Sequence, residues 1–464
     1  MSAPQSRQGH PQRWLILGVI CLAQLTVLLD NTVLNVAIPS LTHELHTATS
    51  DIQWMINAYS LVQSGLLLTA GSAADRYGRK KMLVTGLALF GIGSLVAGLA
   101  GSTGQLIAAR AGMGIGGALL LTTTLAVAMQ IFTPEEQPKA IGIWSAVAAL
   151  GFAGGPLIGG FVLNHFWWGA IFLINIPVAA LGLVAVVALV PESKNPRGDR
   201  PDLLGAVLST IGMASLVFAI ISGPRYGWTS AHVLVSVPVA VLVLGAFAWW
   251  ESRVADPMLD VHFFRNQRFI GAVSGAVLIT FGMGGALFLL TQHLQFVLGY
   301  GPLEAGLRTA PLALTVVVLN FSGLSAKWSG RLGTPVSIAL GMVLMSCGLV
   351  AIAELDSGGY GGTLLGLLLI GAGCAIANPA MAHAIMSAIP PEKAGVGAGI
   401  NGTLAEFGNG LGVAVLGAVL SSSVASGESL SAGLGAGQMV GAVAVLMGGF
   451  VAAGLLRRAE RVAA

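Results

Sequence analysis

The chain has 464 residues, 55% hydrophobic and 9% charged, against about 25% charged residues in soluble domains. That balance excludes a water-soluble globular protein and points to an all-α polytopic membrane protein. The net charge of +3 is too small for a nucleic-acid binder, and the three cysteines sit in apolar segments without metal-type spacing, so neither nucleic acid nor metal is expected.

A helix needs about 20 apolar residues to cross a bilayer, and on that measure about fourteen spans are expected. Six lie near 14–39, 52–73, 81–100, 104–131, 139–163 and 167–191, two near 202–222 and 231–250, and six near 269–296, 303–325, 335–354, 360–388, 394–421 and 435–456. Arg7 and Arg13 precede a first run too long for a cleavable signal, so that helix is expected to stay.

Basic residues gather at the N-terminus, at the C-terminus and after even-numbered spans, among them Arg76, Arg79, Lys80, Lys81, Lys139, Arg197, Arg200, Arg253, Lys327 and Lys393. On the other side Arg225 is the one loop residue of this kind. The asymmetry predicts both termini in the cytoplasm of a cell (inner) membrane. Polar stretches at 191–202 and 251–268 divide the chain into an N-terminal six-helix bundle (1–191), an inserted helix pair with its flanking loops (192–267) and a C-terminal six-helix bundle (268–464).

A faint repeat joins the two sixes. In one register Arg76, Gly78 and Gly86 match Arg331, Gly333 and Gly341; in another Gly71, Gly78 and Arg79 match Gly323, Gly330 and Arg331. Neither preserves Asp75. Duplicated halves of this sort are common in transporters.

Two carboxylates lie inside apolar spans, Asp30 in the first and Glu406 in the thirteenth. Each costs about 2.5–3.5 kcal/mol on insertion scales, so such residues usually face a cavity and act there. Arg110 lies in the fourth span, at a depth within about 5 Å of Asp30, so the two can pair; bonding of Arg110 to backbone carbonyls alone is the other reading. Glu406 is a second proton site, a counter-charge for a cationic substrate, or a structural hydrogen-bonding group. In the fifth span Gly151, Gly155 and Gly159 recur every four residues. They leave a bare helix face for close packing, with a kink expected at Pro156.

Four segments occur in order at these depths: LDNTVLNVAIP from Leu29, GSAADRYGRKKML from Gly71, LIAARAGMGIGGA from Leu106 and GFAGGPLIGG from Gly151. Together with PMLDVHFFRNQRF, QHLQFVLGYGPLEAGL and FGNGLGVAVLG they resemble the major facilitator superfamily, in particular its fourteen-helix drug:proton antiporters, the EmrB/QacA-like group. The resemblance implies the major facilitator fold, two six-helix bundles with the inserted pair between them. It implies proton-coupled efflux of small amphipathic, in part cationic, compounds by alternating access. The alternative is a dedicated exporter, or a proton symporter, of a single metabolite. No cofactor is implied beyond the proton gradient, no enzymatic activity, and a monomer working in the lipid bilayer. By the same resemblance Asp30, Arg110 and Glu406 couple protons, and Asn35, Trp54, Tyr59, Glu406 and Phe407 line the substrate cavity. Gly71, Asp75, Arg76, Gly78 and Arg79 form a gating loop, and Gly151, Gly155, Pro156, Gly159 and Gly160 form the antiporter motif. The chain departs from the family in carrying Met113 where a glutamine is frequent, and Gly169-Ala170 after Trp168 where a basic residue is expected.

Overall fold

The computed structural model describes residues 10–133, 135–194, 200–354, 359–389 and 394–463. Of the basic residues named above, Arg7, Arg197 and Lys393 lie outside the described residues. The N-terminal helices are α1 (Arg13–Leu45), α2 (Thr49–Tyr77), α3 (Arg79–Gly98), α4 (Thr103–Ile131), α5 (Gln137–His165), α6 (Ala170–Leu173) and α7 (Asn175–Leu189). Two more follow, α8 (Leu203–Tyr226) and α9 (Ala231–Glu251). The remainder are α10 (Gln267–Gln292), α11 (Pro302–Phe321), α12 (Leu324–Leu332), α13 (Thr334–Glu354), α14 (Tyr360–Ser387), α15 (Ala394–Ala425) and α16 (Leu430–Ala463).

Among the described residues twelve helices are long and apolar enough to cross a membrane, with α6 and α7 joined as Ala170–Leu189, against the fourteen expected. The two that fall short are α2 and α5. α2 has the length, at 29 residues, but its interior face carries Ser50, Gln53, Asn57, Ser60, Gln63, Ser64 and Thr69, all buried. These lower its hydropathy; Gln53, Asn57, Ser64 and Thr69 donate to groups inside the protein, where polar groups are tolerated at membrane depth. α5 is 29 residues long, and within it Lys139–Ala148 is the apolar stretch that lies among the described residues.

Two further departures have local causes. The sixth expected span is interrupted at Ile174, between α6 and α7, two residues ahead of Ile176-Pro177, where proline removes a backbone donor. The tenth ends at Phe321, and a separate short helix, α12, follows. It is bracketed by Gly323 (φ 70°) and Gly333 (φ 77°), left-handed conformations that glycine adopts without steric cost.

Gly78 (φ 117°) stands before α3 as Gly333 stands before α13. Gly86 then packs on Leu120 of α4 while Gly341 packs on Ala377 of α14. The first of the two repeat registers is therefore the one with matching geometry.

α1 packs on α4, α5 and α7, and α2 and α3 both pack on α4; α10 packs on α15 and α16, and α13 on α14 and α16. Two large apolar cores result, one around Ile16, Leu34, Phe90 and Phe172 that also takes in Phe288, Val413 and Leu416 of the second group, and one around Phe269, Met342, Ile370 and Val445. α2 against α15 and α5 against α11 join the groups; α8 and α9 pack on each other, and α8 packs against α2 and α15.

Candidate functional site

Asp30 and Arg110 meet. α1 and α4 bring an Arg110 Nη1 donor onto Asp30 Oδ2 as a hydrogen-bonded ion pair. The residues are 4% and 1% exposed, so this pair is out of water, where an unpartnered charge is prohibitive and a paired one tolerable. Arg110 Nε donates to the Met55 carbonyl at 3.1 Å, and the guanidinium lies over the Tyr59 ring, 4.3 Å from its centroid, in a cation–π contact. The second oxygen of Asp30 accepts from Asn175 Nδ2 at 3.3 Å, and the same amide nitrogen donates to Ser94 Oγ at 3.3 Å. Asn175 is not singled out from the sequence; its place opposite Asp30 comes from the packing of α7 on α1. Met113 packs against Gly93 and Ser94 of α3, so this departure from the family pattern falls on a helix–helix contact.

Glu406 lies one step away, in the other half of the molecule. Asn31 Nδ2 donates to Glu406 Oε1 at 3.4 Å. Consecutive α1 residues thus serve the two carboxylates: Asp30 turns into the N-terminal half and Asn31 reaches α15. Asn35, one turn beyond Asn31, is buried with its Oδ1 unpaired. Around Glu406, α2 is zipped to α15. Gln53 Nε2 donates to the Val413 and Ala414 carbonyls at 3.0 and 2.9 Å, and Ser64 Oγ donates to the Thr403 carbonyl at 3.1 Å.

Tyr59 is fully buried beneath Arg110, whereas Trp54 and Phe407 face elsewhere. Both pack into an apolar cluster with Met213, Val217 and Ile221 of α8, and Trp54 meets Phe218 with ring centroids 5.9 Å apart. Helical geometry accounts for the split. Trp54 and Tyr59 are five residues, hence about 140° apart around α2, and Glu406 and Phe407 about 100° apart around α15. Trp54 also borders an open groove of about 630 Å³ between α8 and α9.

The loop between α2 and α3 holds a second ionic cluster. Arg79 donates to Asp75 Oδ1 through Nε (3.0 Å) and Nη2 (2.8 Å), and through Nη1 to the Ala126 carbonyl (3.1 Å) and Gln130 Oε1 (3.3 Å) of α4. Arg76 belongs to the same turn. Glu192 completes the arrangement: its oxygens accept from the Lys80 and Lys81 amides at 3.2 and 3.3 Å, a carboxylate on a helix N-terminus. Glu192 was not singled out from the sequence, because only folding brings the end of α7 over the start of α3. A Cβ on Gly78 would lie 2.6 Å from Glu192 Oε1, whereas one on Gly71 would meet nothing within 4 Å. Gly78→Ala is expected to cost about 1–2 kcal/mol, from the φ penalty and the displaced carboxylate, and Gly71→Ala almost nothing. Melting temperatures of the two purified variants check this; equal losses would contradict it.

The glycine motif of α5 presses on the stretch of α1 that carries Asp30. Gly151 faces Leu25 and Leu28, Gly155 faces Thr32 and the Leu29 carbonyl, and Gly159 faces Val33. Gly160 and Pro156 look to the other half: a Cβ on Gly160 would strike the Pro302 carbonyl, and one on Gly306 would strike the Pro156 carbonyl. One helix thus touches the buried carboxylate's helix on one side and α11 on the other. For Gly155→Val the added methyl groups have no room beside Thr32. A loss of about 1–3 kcal/mol from overpacking is expected, read as a lower melting temperature together with lost transport; unchanged values would contradict the packing.

The comparisons agree with this architecture. The family model described as Major Facilitator Superfamily matches residues 20–413. The chain is 35% identical over 396 residues to the multidrug resistance protein Stp of Mycobacterium tuberculosis, covering 85% of this chain and 73% of the relative. It is 33% identical over 420 residues to the tetracenomycin C resistance and export protein of Streptomyces glaucescens, covering 90% and 77%. It is 35% identical over 430 residues to the methyl viologen resistance protein SmvA of Salmonella typhimurium, covering 91% and 86%. Among solved structures, a peptide transporter of the POT family in complex with sulfate superposes with a TM-score of 0.71 at 15% identity, covering 96% of this chain and 95% of that one; at that identity it speaks for the fold. With its helices, its two cores and these matches, the chain belongs to the Major Facilitator Superfamily.

Proposed function

We propose that this protein exports small amphipathic compounds, cationic ones among them, in exchange for protons. The observation that carries the reading is the buried Asp30–Arg110–Asn175 network, with Glu406 reached through the neighbouring Asn31. It supports this reading because consecutive residues of α1 serve both carboxylates, Asp30 itself as the proton carrier and Asn31 as the neutral donor to Glu406, the group for a cation. The names of the relatives, which concern multidrug and antibiotic resistance, support the same reading.

The mechanism follows from the charges. With Asp30 ionised, Arg110 is held by its carboxylate. A proton on Asp30 dissolves that ion pair and leaves Arg110 to the Met55 carbonyl and the Tyr59 ring. α1 and α4 then repack, and α5, whose bare face lies against this part of α1, carries the change to α11. Proton and substrate favour opposite orientations of the cavity, which couples their fluxes. In the reading we favour, α2 and α5 also cross the bilayer, giving fourteen spans and membership of the EmrB/QacA-like group. The bundles are 1–191 and 268–464 with the pair 192–267 inserted. The protein acts as a monomer in the inner membrane with both termini in the cytoplasm, and Asp75–Arg79 secures the cytoplasmic gate.

A second reading, a dedicated exporter of one compound, is favoured by relatives named for a single antibiotic. Expression in a pump-deficient host across a drug panel separates the two: resistance to several unrelated amphipathic cations is expected, and resistance to one compound alone would select the second. In everted vesicles with a lumenal pH dye, adding substrate should draw protons out of the lumen; proton movement in the same direction as substrate would indicate symport.

A further inference from the structure

We propose that Asp202 and Glu251 form a proton-binding site at the cytoplasmic end of the inserted helix pair, and that its proton fastens that end of the pair together where it meets α2. The word cytoplasmic rests on the orientation proposed above; the site itself does not depend on the role given to Asp30.

Both side chains are buried, Asp202 at 8% and Glu251 at 2% exposure. Asp202 caps α8, accepting from the Gly205 amide at 2.8 Å, and takes the Trp250 indole N–H at 3.0 and 2.9 Å on its two oxygens. Its backbone carbonyl accepts from Thr69 Oγ1 of α2 at 3.2 Å. Glu251 ends α9 and accepts from the Leu259 amide through Oε2 at 3.0 Å. Its Oε1 is buried without a hydrogen-bond partner. The orphan oxygen points at Asp202: a Cβ built on Gly205 would lie 2.5 Å from Asp202 Oδ2 and 2.5 Å from Glu251 Oε1. The two carboxylates therefore face each other across one small gap, which a glycine keeps open.

Charges nearby are committed elsewhere. Arg253 lies over the Trp249 ring, 4.8 Å from its centroid. Asp256 accepts from the Arg200 amide and Asp260 from His262. α2 presents Thr69 here, while its charged residues Asp75 and Arg76 have other partners. Glu406, the acidic residue of α15, is with Asn31. Among the described residues neither carboxylate has a basic partner.

Two buried carboxylates that share a gap without a counter-ion do not both ionise; the pair keeps one proton. That proton turns the orphan acceptor of Glu251 into a donor to Asp202, which satisfies a group otherwise costly to bury. It ties the last residue of α9 to the cap of α8, whose carbonyl already holds Thr69. A pair that binds its proton more tightly when folded contributes stability at low pH and loses it as pH rises.

The test uses the purified full-length protein, with melting temperatures measured from about pH 5 to about pH 9. Wild type is expected to lose several degrees more than Glu251→Gln as pH rises, because the amide donates to Asp202 at every pH and removes this pair's part of the pH dependence. Adding Glu251→Gln to Asp30→Asn should remove the same increment of pH dependence as it removes from wild type, which separates this site from the transport site. A wild-type slope in Glu251→Gln would overturn the proposal. So would a drop of equal size in Glu251→Gln at every pH, since an ionised Glu251 with a purely structural role gives that result.

Discussion

Asp30→Asn is expected to reduce substrate-driven proton movement to background. The substituted amide still accepts a hydrogen bond but carries neither the charge nor the exchangeable proton. The structure adds a cost that depth along the first span did not disclose. Arg110 is 1% exposed, and removing its counter-charge leaves a buried cation among neutral partners, the new amide, the Met55 carbonyl and the Tyr59 ring. Breaking such a pair costs about 3–5 kcal/mol, so the single variant should also melt at a lower temperature. The double variant Asp30→Asn/Arg110→Gln separates the two effects, because it removes both charges. Melting should recover toward wild type while proton-coupled export stays absent. Export returning with stability would show that Asp30 serves only to neutralise Arg110.

Glu406→Gln is the second large effect, and it should depend on the substrate. The carboxylate is reached by the neutral donor of Asn31, and among the described residues no ion pair includes it. Its Oε2 is buried without a hydrogen-bond partner, so its charge is not committed to a basic side chain and is available to a cationic substrate. Losing that charge should weaken binding of a monovalent cation by about 2 kcal/mol, roughly thirtyfold, with neutral amphipathic compounds nearly unaffected. The amide keeps the contact to Asn31, so packing is preserved. Binding of a cationic and a neutral fluorescent substrate to purified protein reads this directly. Equal loss for both would assign Glu406 to proton coupling instead.

Much of this site was legible in the chain. A carboxylate and an arginine at similar depth in separate apolar spans have few alternatives to each other, and the four-residue glycine spacing of α5 announced a bare face. Other parts were not legible, for identifiable reasons. Trp54 and Phe407 pack toward α8, because each lies off the face that carries Tyr59 or Glu406, and which neighbour meets that second face is not written in the sequence. Asn175 reaches Asp30, and Glu192 reaches α3, only through tertiary packing. α2 was read as a span although its buried glutamines and asparagine pull its hydropathy below that of its neighbours. Their partners, such as the α15 carbonyls that Gln53 holds, are invisible in one dimension.

The central claim is that the proton displaced by substrate comes from Asp30. It is tested most directly by adding a cationic substrate to purified, weakly buffered protein and following bulk pH. Wild type should release protons on binding and Asp30→Asn/Arg110→Gln none, with Glu406→Gln still releasing them at saturating substrate. Equal release from wild type and the Asp30 double variant would contradict the account.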